Sequence, residues 1–254
     1  MSEVYEKTLF ICEDSVDGIL SAVYEAYASR LGHSRIKLQV RGPVTMELFC
    51  GYREVATDPV KAAKVRRSVC DKISFKAWSY VYRTALSSEA SKADDIYRFL
   101  VGGFYFGSKA MDMLTEPAVS RIMDIDRAVH REAGHWMEFL KFERISDSVL
   151  VSRIRPKANV IPLIMHHFCD RMPDENFLIW DLNRNIAGVH PAVDSWYMAE
   201  ITPAMSALLC GGSDEFTELW RTFFNAVAIR ERENYSCQRS HIPLRFRSDL
   251  PEFN

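Results

Sequence analysis

Apolar positions along this chain change rhythm twice, and each change predicts a different kind of element. The run Thr8-Leu9-Phe10-Ile11-Cys12 is apolar and rich in β-formers, which predicts a short, fully buried strand. Acidic residues follow. Ser15 then stands where a helix cap belongs, ahead of Ile19, Leu20, Val23, Tyr24 and Tyr27 on one helical face, with Gly32 as the stop. Residues 36–56 predict short strands and turns punctuated by Arg41-Gly42-Pro43. Thr57-Asp58-Pro59 opens a long helical stretch, because proline is well tolerated at a first helical position. Residues 59–87 predict two helices divided near Ser74, and a third runs from about Asp94 to Phe106 with Ile96, Phe99 and Leu100 on one side. Gly102-Gly103 reads as that helix's end. A fourth covers Pro117 to about Met137.

From there the rhythm shortens. Phe139, Phe142 and Ile145 precede a turn at Ser146-Asp147-Ser148, and Val149–Ile154 then alternates in and out as a hairpin partner would. A loop at 156–159, a helix over about 163–171, a strand at Phe177–Asp181 and its hairpin partner at Ile186–His190 complete a hairpin-helix-hairpin block. A strand near 196–201, a helix from about Asp214 to Arg232 and an extended Arg- and Pro-rich tail end the chain.

Runs of helices beside runs of strands, without steady alternation, predict an α+β fold. Its expected core is an antiparallel sheet over residues 138–190, packed with a mainly helical region over 57–137. The expectation is one domain over 1–254, with the sheet part reaching about 200 and a helix plus tail over 213–254.

Composition narrows the function classes. With 254 residues, 48% apolar and 26% charged, the chain has ample material for a core and the make-up of a soluble globular protein. A net charge of −2 gives no overall drive onto nucleic acid or membrane, so any such binding needs a local basic patch. The six cysteines are dispersed with no C-x-x-C pair, which disfavours a zinc ribbon and suits reduced thiols in a cytoplasmic protein. The first residues lack a basic segment followed by an apolar run, and no stretch approaches the roughly 20 apolar residues of a membrane helix. There is no G-x-x-x-x-G-K-[ST], no G-x-G-x-x-G and no G-x-S-x-G, so no cofactor is expected from motif.

Three clusters are candidates for chemistry. Residues 59–83 carry Lys61, Lys64, Arg66, Arg67, Lys72, Lys76 and Arg83 against one acid, Asp71, and Lys61, Lys64 and Arg67 share a helical face. Such a stripe either neutralises phosphates or is a solvated helix face. The C-terminal segment interleaves Arg230, Arg232, Arg239, Arg245 and Arg247 with Asn234, Gln238, Tyr235 and Phe246. Arginine forks clamp phosphates, Asn and Gln position bases and aromatic rings stack on them; the alternative is a tail tied to the body. The third cluster sets Glu132 three residues before His135 on one helix, and His166 and His167 near Asp170 on another, with Asp181 on the following strand. Carboxylate-plus-histidine spacing of that kind occurs in helical metal sites, but a structural role for these groups is the alternative.

Several separated blocks resemble one bacterial family of unknown function, whose members are labelled DNA metabolism or DNA repair proteins. They are Asp17–Ala26, Thr57–Ala62, Arg131-Glu132-Ala133, Phe139–Phe142, Ile161-Pro162-Leu163, His167–Arg171 and Ile179–Arg184. Trp220, Phe223, Phe224, Ile229, Arg232, Asn234, Gln238, Pro243, Arg245 and Leu250…Glu252-Phe253 continue the likeness, which spans nearly the whole chain. The chain departs from its relatives at His135, Glu138 and Ala187-Gly188. The resemblance implies partnership with a radical-SAM protein of DNA repair or modification. The chain has no C-x-x-x-C-x-x-C cluster to be that enzyme itself.

The expectation is therefore an accessory protein that binds nucleic acid, DNA in the first place. Its contacts would come from Lys61, Lys64, Arg67, Arg171, Arg184, Arg230, Arg232, Asn234, Gln238 and Arg245. The alternatives are a nucleic-acid-processing enzyme using Glu132, His135, His167, Asp170 or Asp181, or a protein-interaction scaffold.

Overall fold

A computed structural model describes residues 7–42, 49–146, 149–209 and 242–247. The fold is α+β, and the chain divides into two compact units, Met1–His130 and Arg131–Asn254.

In the first unit, strand β1 (Lys7–Cys12) buries Leu9, Phe10, Ile11 and Cys12 and lies between β2 (Ile36–Val40) and β3 (Cys50–Glu54). Both neighbours run parallel to β1, in the order β2-β1-β3. Helix α1 (Val16–Ala28) links β1 to β2, and the Ser15 hydroxyl accepts from the Gly18 N–H as its cap. Gly18 is required there, because a Cβ would stand 2.6 Å from the Glu13 carbonyl oxygen. The chain reverses between β1 and α1 with no room to spare.

Helix α2 (Pro59–Lys72) begins at Asp58, whose carboxylate accepts from the Val60 and Lys61 N–H groups. The break near Ser74 is real: Ser74 caps α3 (Phe75–Leu86) by accepting from Ala77 N–H. Helix α4 (Lys92–Phe106) runs through Gly102-Gly103 and stops at Gly107, whose φ of 64° suits only glycine without strain. The expected end at Gly102-Gly103 is thus corrected. Gly103 serves packing instead, since a Cβ there would meet Ile73 at 2.5 Å. These helices and β1 share a core that includes Phe10, Ile19, Val23, Val69, Val81, Ile96 and Leu100. Each such side chain contributes about 1.5–3 kcal/mol on full burial.

Helix α5 (Pro117–Phe139) contains the division between the units. In the second unit, five strands lie in chain order: β4 (Glu143–Ser146), β5 (Val149–Ile154), β6 (Asn176–Asp181), β7 (Ile186–His190) and β8 (Tyr197–Glu200). Three of the four pairings are antiparallel, but β5 and β6 run parallel. The expected antiparallel sheet is therefore mixed. The physical reason is α6 (Ile161–Arg171), which connects β5 to β6 and carries the chain back to its starting edge, as parallel neighbours require. Gly188 on β7 permits this packing, since a Cβ would stand 2.5 Å from Met165 Sδ and 2.8 Å from Ile161 Cγ2. Helix α7 (Pro203–Leu209) is not expected from the pattern, and the predicted helix over 214–232 lies outside the described residues. The turn Leu244–Arg247 buries Phe246 against Trp136 (4.7 Å between ring centres) and His135 (5.3 Å). Among the described residues, no helix is long and apolar enough to cross a membrane.

Candidate nucleic-acid interface

The basic residues of α2 separate by partner. Lys61 is engaged: its ammonium lies 2.7 Å from Glu25 and 3.6 Å from Asp58. The hydrogen bond to Glu25, then the nearby charges, raise the Lys61 pKa above its ordinary value. Lys64, Arg66, Arg67 and Lys72 are exposed and make no ion pair among the described residues.

What several of them do instead is lie over aromatic rings. Lys64 is 5.8 Å from the centre of Tyr24, Arg66 is 5.2 Å from Trp78, and Lys72 is 6.0 Å from Phe104; on α3, Lys76 is 5.9 Å from Tyr80. Between α1, α2 and α4 a groove of about 270 Å³ is walled by Tyr24, Tyr27 and Phe104 and carries Lys64, Ser68 and Lys72. The Tyr27 hydroxyl is buried without a hydrogen-bond partner among the described residues, and burial pushes its pKa upward. Positive charge beside stacking surface is what a single nucleic-acid strand needs: cations for phosphates and rings for unpaired bases.

The central block is arranged differently. Glu132 is buried and accepts from the backbone N–H groups of Lys157 (2.9 Å) and Ala158 (3.0 Å). Asp181 is fully buried, accepts from the N–H groups of Asn183 (2.9 Å) and Arg184 (3.2 Å), and pairs with the Arg184 guanidinium at 2.8 Å. Arg184 in turn donates to the carbonyls of Pro156 and Lys157, and Asn183 donates to Pro156 O at 2.9 Å. Glu132, Asn183 and Arg184 thus converge on one loop, Pro156–Ala158, and satisfy its main-chain groups, while Asp181 holds the Arg184 guanidinium in place.

His135 packs against Phe139 and Phe246, with its Nδ1 buried and unbonded among the described residues. His167, Asp170 and Arg171 are exposed on α6. No group of three or more His, Cys, Asp or Glu side chains among the described residues is placed to hold a metal ion. Arg230, Arg232, Asn234 and Gln238 lie outside the described residues, as does the Arg245 side chain.

Comparison with known proteins bears on the second unit and the end of the first. The family model described as "Domain of unknown function (DUF4130)" matches residues 90–252. The chain belongs to this family. The DUF4130 match begins just before α4, so the groove's α1 and α2 walls precede it. No curated protein matches the chain. A solved structure described as a pGpG-specific phosphodiesterase from Vibrio cholerae aligns over 87% of this chain and 100% of that one, at 10% identity and a TM-score of 0.34. A likeness at that level fixes neither fold nor function.

The sequence pattern points to Lys64 and Arg67 but misses Tyr24, Trp78 and Phe104 as neighbours of the α2 cations. Those rings come from three other helices, and only the Tyr24–Tyr27 spacing on α1 offers a local sign of an aromatic wall.

Proposed function

We propose that this protein is a nucleic-acid-binding accessory protein of DNA metabolism, and that it holds a single strand along α2. Phosphates sit on Lys64, Arg67 and Lys72, and unpaired bases stack against Tyr24 and Phe104. The observation that supports this reading best is the set of exposed α2 cations, lying over aromatic rings and without ion pairs among the described residues. Duplex bases are already stacked on each other, so the aromatic groove favours an unpaired strand. The C-terminal segment with Arg230, Arg232, Asn234, Gln238 and Arg245 is proposed as a second contact. A radical-SAM enzyme as functional partner rests on the family resemblance, and co-purification from cells producing both proteins tests it.

The direct test is fluorescence-anisotropy titration with single- and double-stranded DNA at about 50 and about 200 mM salt, where phosphate-driven binding loses orders of magnitude. Lys64→Ala/Lys72→Ala, both exposed positions, is the comparison. The expected result is salt-sensitive binding that prefers the single strand and weakens in the variant. No binding at low salt, or binding indifferent to the variant, overturns the reading.

A further inference from the structure

Helix α2 has a second side. Where the groove just described faces α1 and α4, its other flank borders a crevice of about 630 Å³ carrying Glu13, Asp17, Thr57, Arg66, Trp78 and Tyr82. That volume falls in the ordinary range for small-molecule sites, about 300–1,000 Å³. Its position is also telling. Glu13 follows β1 and Thr57 follows β3, so the crevice opens at the carboxyl ends of these two parallel neighbours. Open parallel sheets commonly bind ligands outside the carboxyl ends of their strands.

The side chains narrow the ligand class. Of the acids after β1, Asp14 is committed to the buried Lys92 at 2.5 Å. Glu13 stays exposed and accepts from Thr57 Oγ1 at 2.6 Å, while Asp17 lies exposed in the first turn of α1. Two carboxylates against the one guanidinium of Arg66 disfavour a polyphosphate. The positive end of α1 is already occupied by Asp17. Carboxylates accept from exocyclic amino groups, as they do from cytosine N4. Arg66 over Trp78, with Tyr82 tilted 5.8 Å from Trp78, adds a flat cationic and aromatic surface of the kind on which bases stack.

We infer that this crevice binds a nucleobase carrying an exocyclic amino group, its N–H donors directed to Glu13 and Asp17 and its ring stacked at Arg66. Such a base comes either from a free nucleoside or from an unpaired position of a strand lying on α2. The crevice does not depend on the strand-binding reading above.

Two titrations separate the sources. Free cytidine, adenosine and guanosine against uridine are followed by the part of the tryptophan fluorescence that Trp78→Phe removes. Oligonucleotides of dC or dA against dT are followed by anisotropy. Glu13→Gln/Asp17→Asn, both at exposed positions, serves as the variant in each. The expected result is a preference on the order of ten-fold for amino-bearing bases in at least one arm, levelled in the variant. Oligonucleotide binding without base preference, together with silent nucleosides, overturns the crevice assignment and leaves strand binding standing. Nucleoside binding with the preference, but no oligonucleotide binding, does the reverse. A preference that survives in the variant also overturns the assignment of Glu13 and Asp17.

Discussion

Replacing Asp181 by alanine tests whether the buried carboxylates of the central block serve the fold or a reaction. Asp181 is wholly inaccessible, accepts two backbone N–H bonds at 2.9 and 3.2 Å, and pairs at 2.8 Å with Arg184, whose side chain is 29% exposed. The substitution removes the acceptor for both N–H groups and leaves a half-buried guanidinium without its counter-charge. Breaking a buried pair from one side costs about 3–5 kcal/mol. With a urea m-value of about 1–3 kcal/mol/M, the midpoint should fall by about 1–5 M. Trp180 is the residue before Asp181 on β6 and is buried, so urea titration by tryptophan fluorescence reports on the affected strand. Asp181→Asn keeps an oxygen for the two N–H groups but loses the charge and the acceptor facing Arg184, so its loss should be smaller than that of alanine. An Asp181→Ala midpoint equal to the parent's, with nucleic-acid binding or a reaction abolished, would refute the structural reading.

Other positions give sharper, smaller tests. Lys61→Ala should leave the salt dependence of DNA binding nearly unchanged, because Glu25 and Asp58 already hold that charge; Arg67→Ala should lower the single-strand salt slope by about 0.7. The Asp58 carboxyl is held below its ordinary 3.8, first by the Lys61 N–H and then by the Val60 N–H and the Lys61 charge. A depressed carboxylate contributes stability that is complete above its unfolded pKa and is lost as pH falls through the folded value. Asp58→Asn should therefore flatten the loss of helicity below about pH 4, as followed by circular dichroism; an unchanged acid profile contradicts the cap's role. Burial, then the negative charge of Asp14, pushes the Cys12 thiol to about 12. N-ethylmaleimide at about pH 8 should accordingly leave Cys12 unmodified in the native protein, and mass spectrometry showing rapid labelling would contradict that burial. Gly188→Ala forces Met165 and Ile161 off β7 and should cost about 1–3 kcal/mol in the same urea assay.

Features decided by local chemistry are legible in the amino-acid sequence. Ser15, Asp58 and Ser74 each bond an N–H two or three residues ahead, so the starts of α1, α2 and α3 are written in short segments. Pairing is another matter. The parallel alignment of β2 on β1, and of β6 on β5, follows from where α1 and α6 carry the chain, and spacing within a strand does not encode it. The same limit applies to sites. Glu132 and His135 are three residues apart on one helix, as in some metal sites, but the partners of Glu132 come from a loop 25 residues away. The basic stripe of α2 is visible as charge. Which of its members are neutralised, as Lys61 is, depends on Glu25 from α1.

Whether a nucleic-acid strand lies on α2 is the central question, and photo-cross-linking reads the strand's location directly. A single-stranded oligonucleotide carrying a photoreactive base is irradiated with the protein at low salt, and the cross-linked peptides are identified by mass spectrometry. Adducts are expected on peptides containing Tyr24, residues 59–83 or Phe104, with further adducts in the Arg-rich C-terminal segment if it forms the second contact. Adducts confined to α6 and the β5–β8 strands would contradict strand binding on α2.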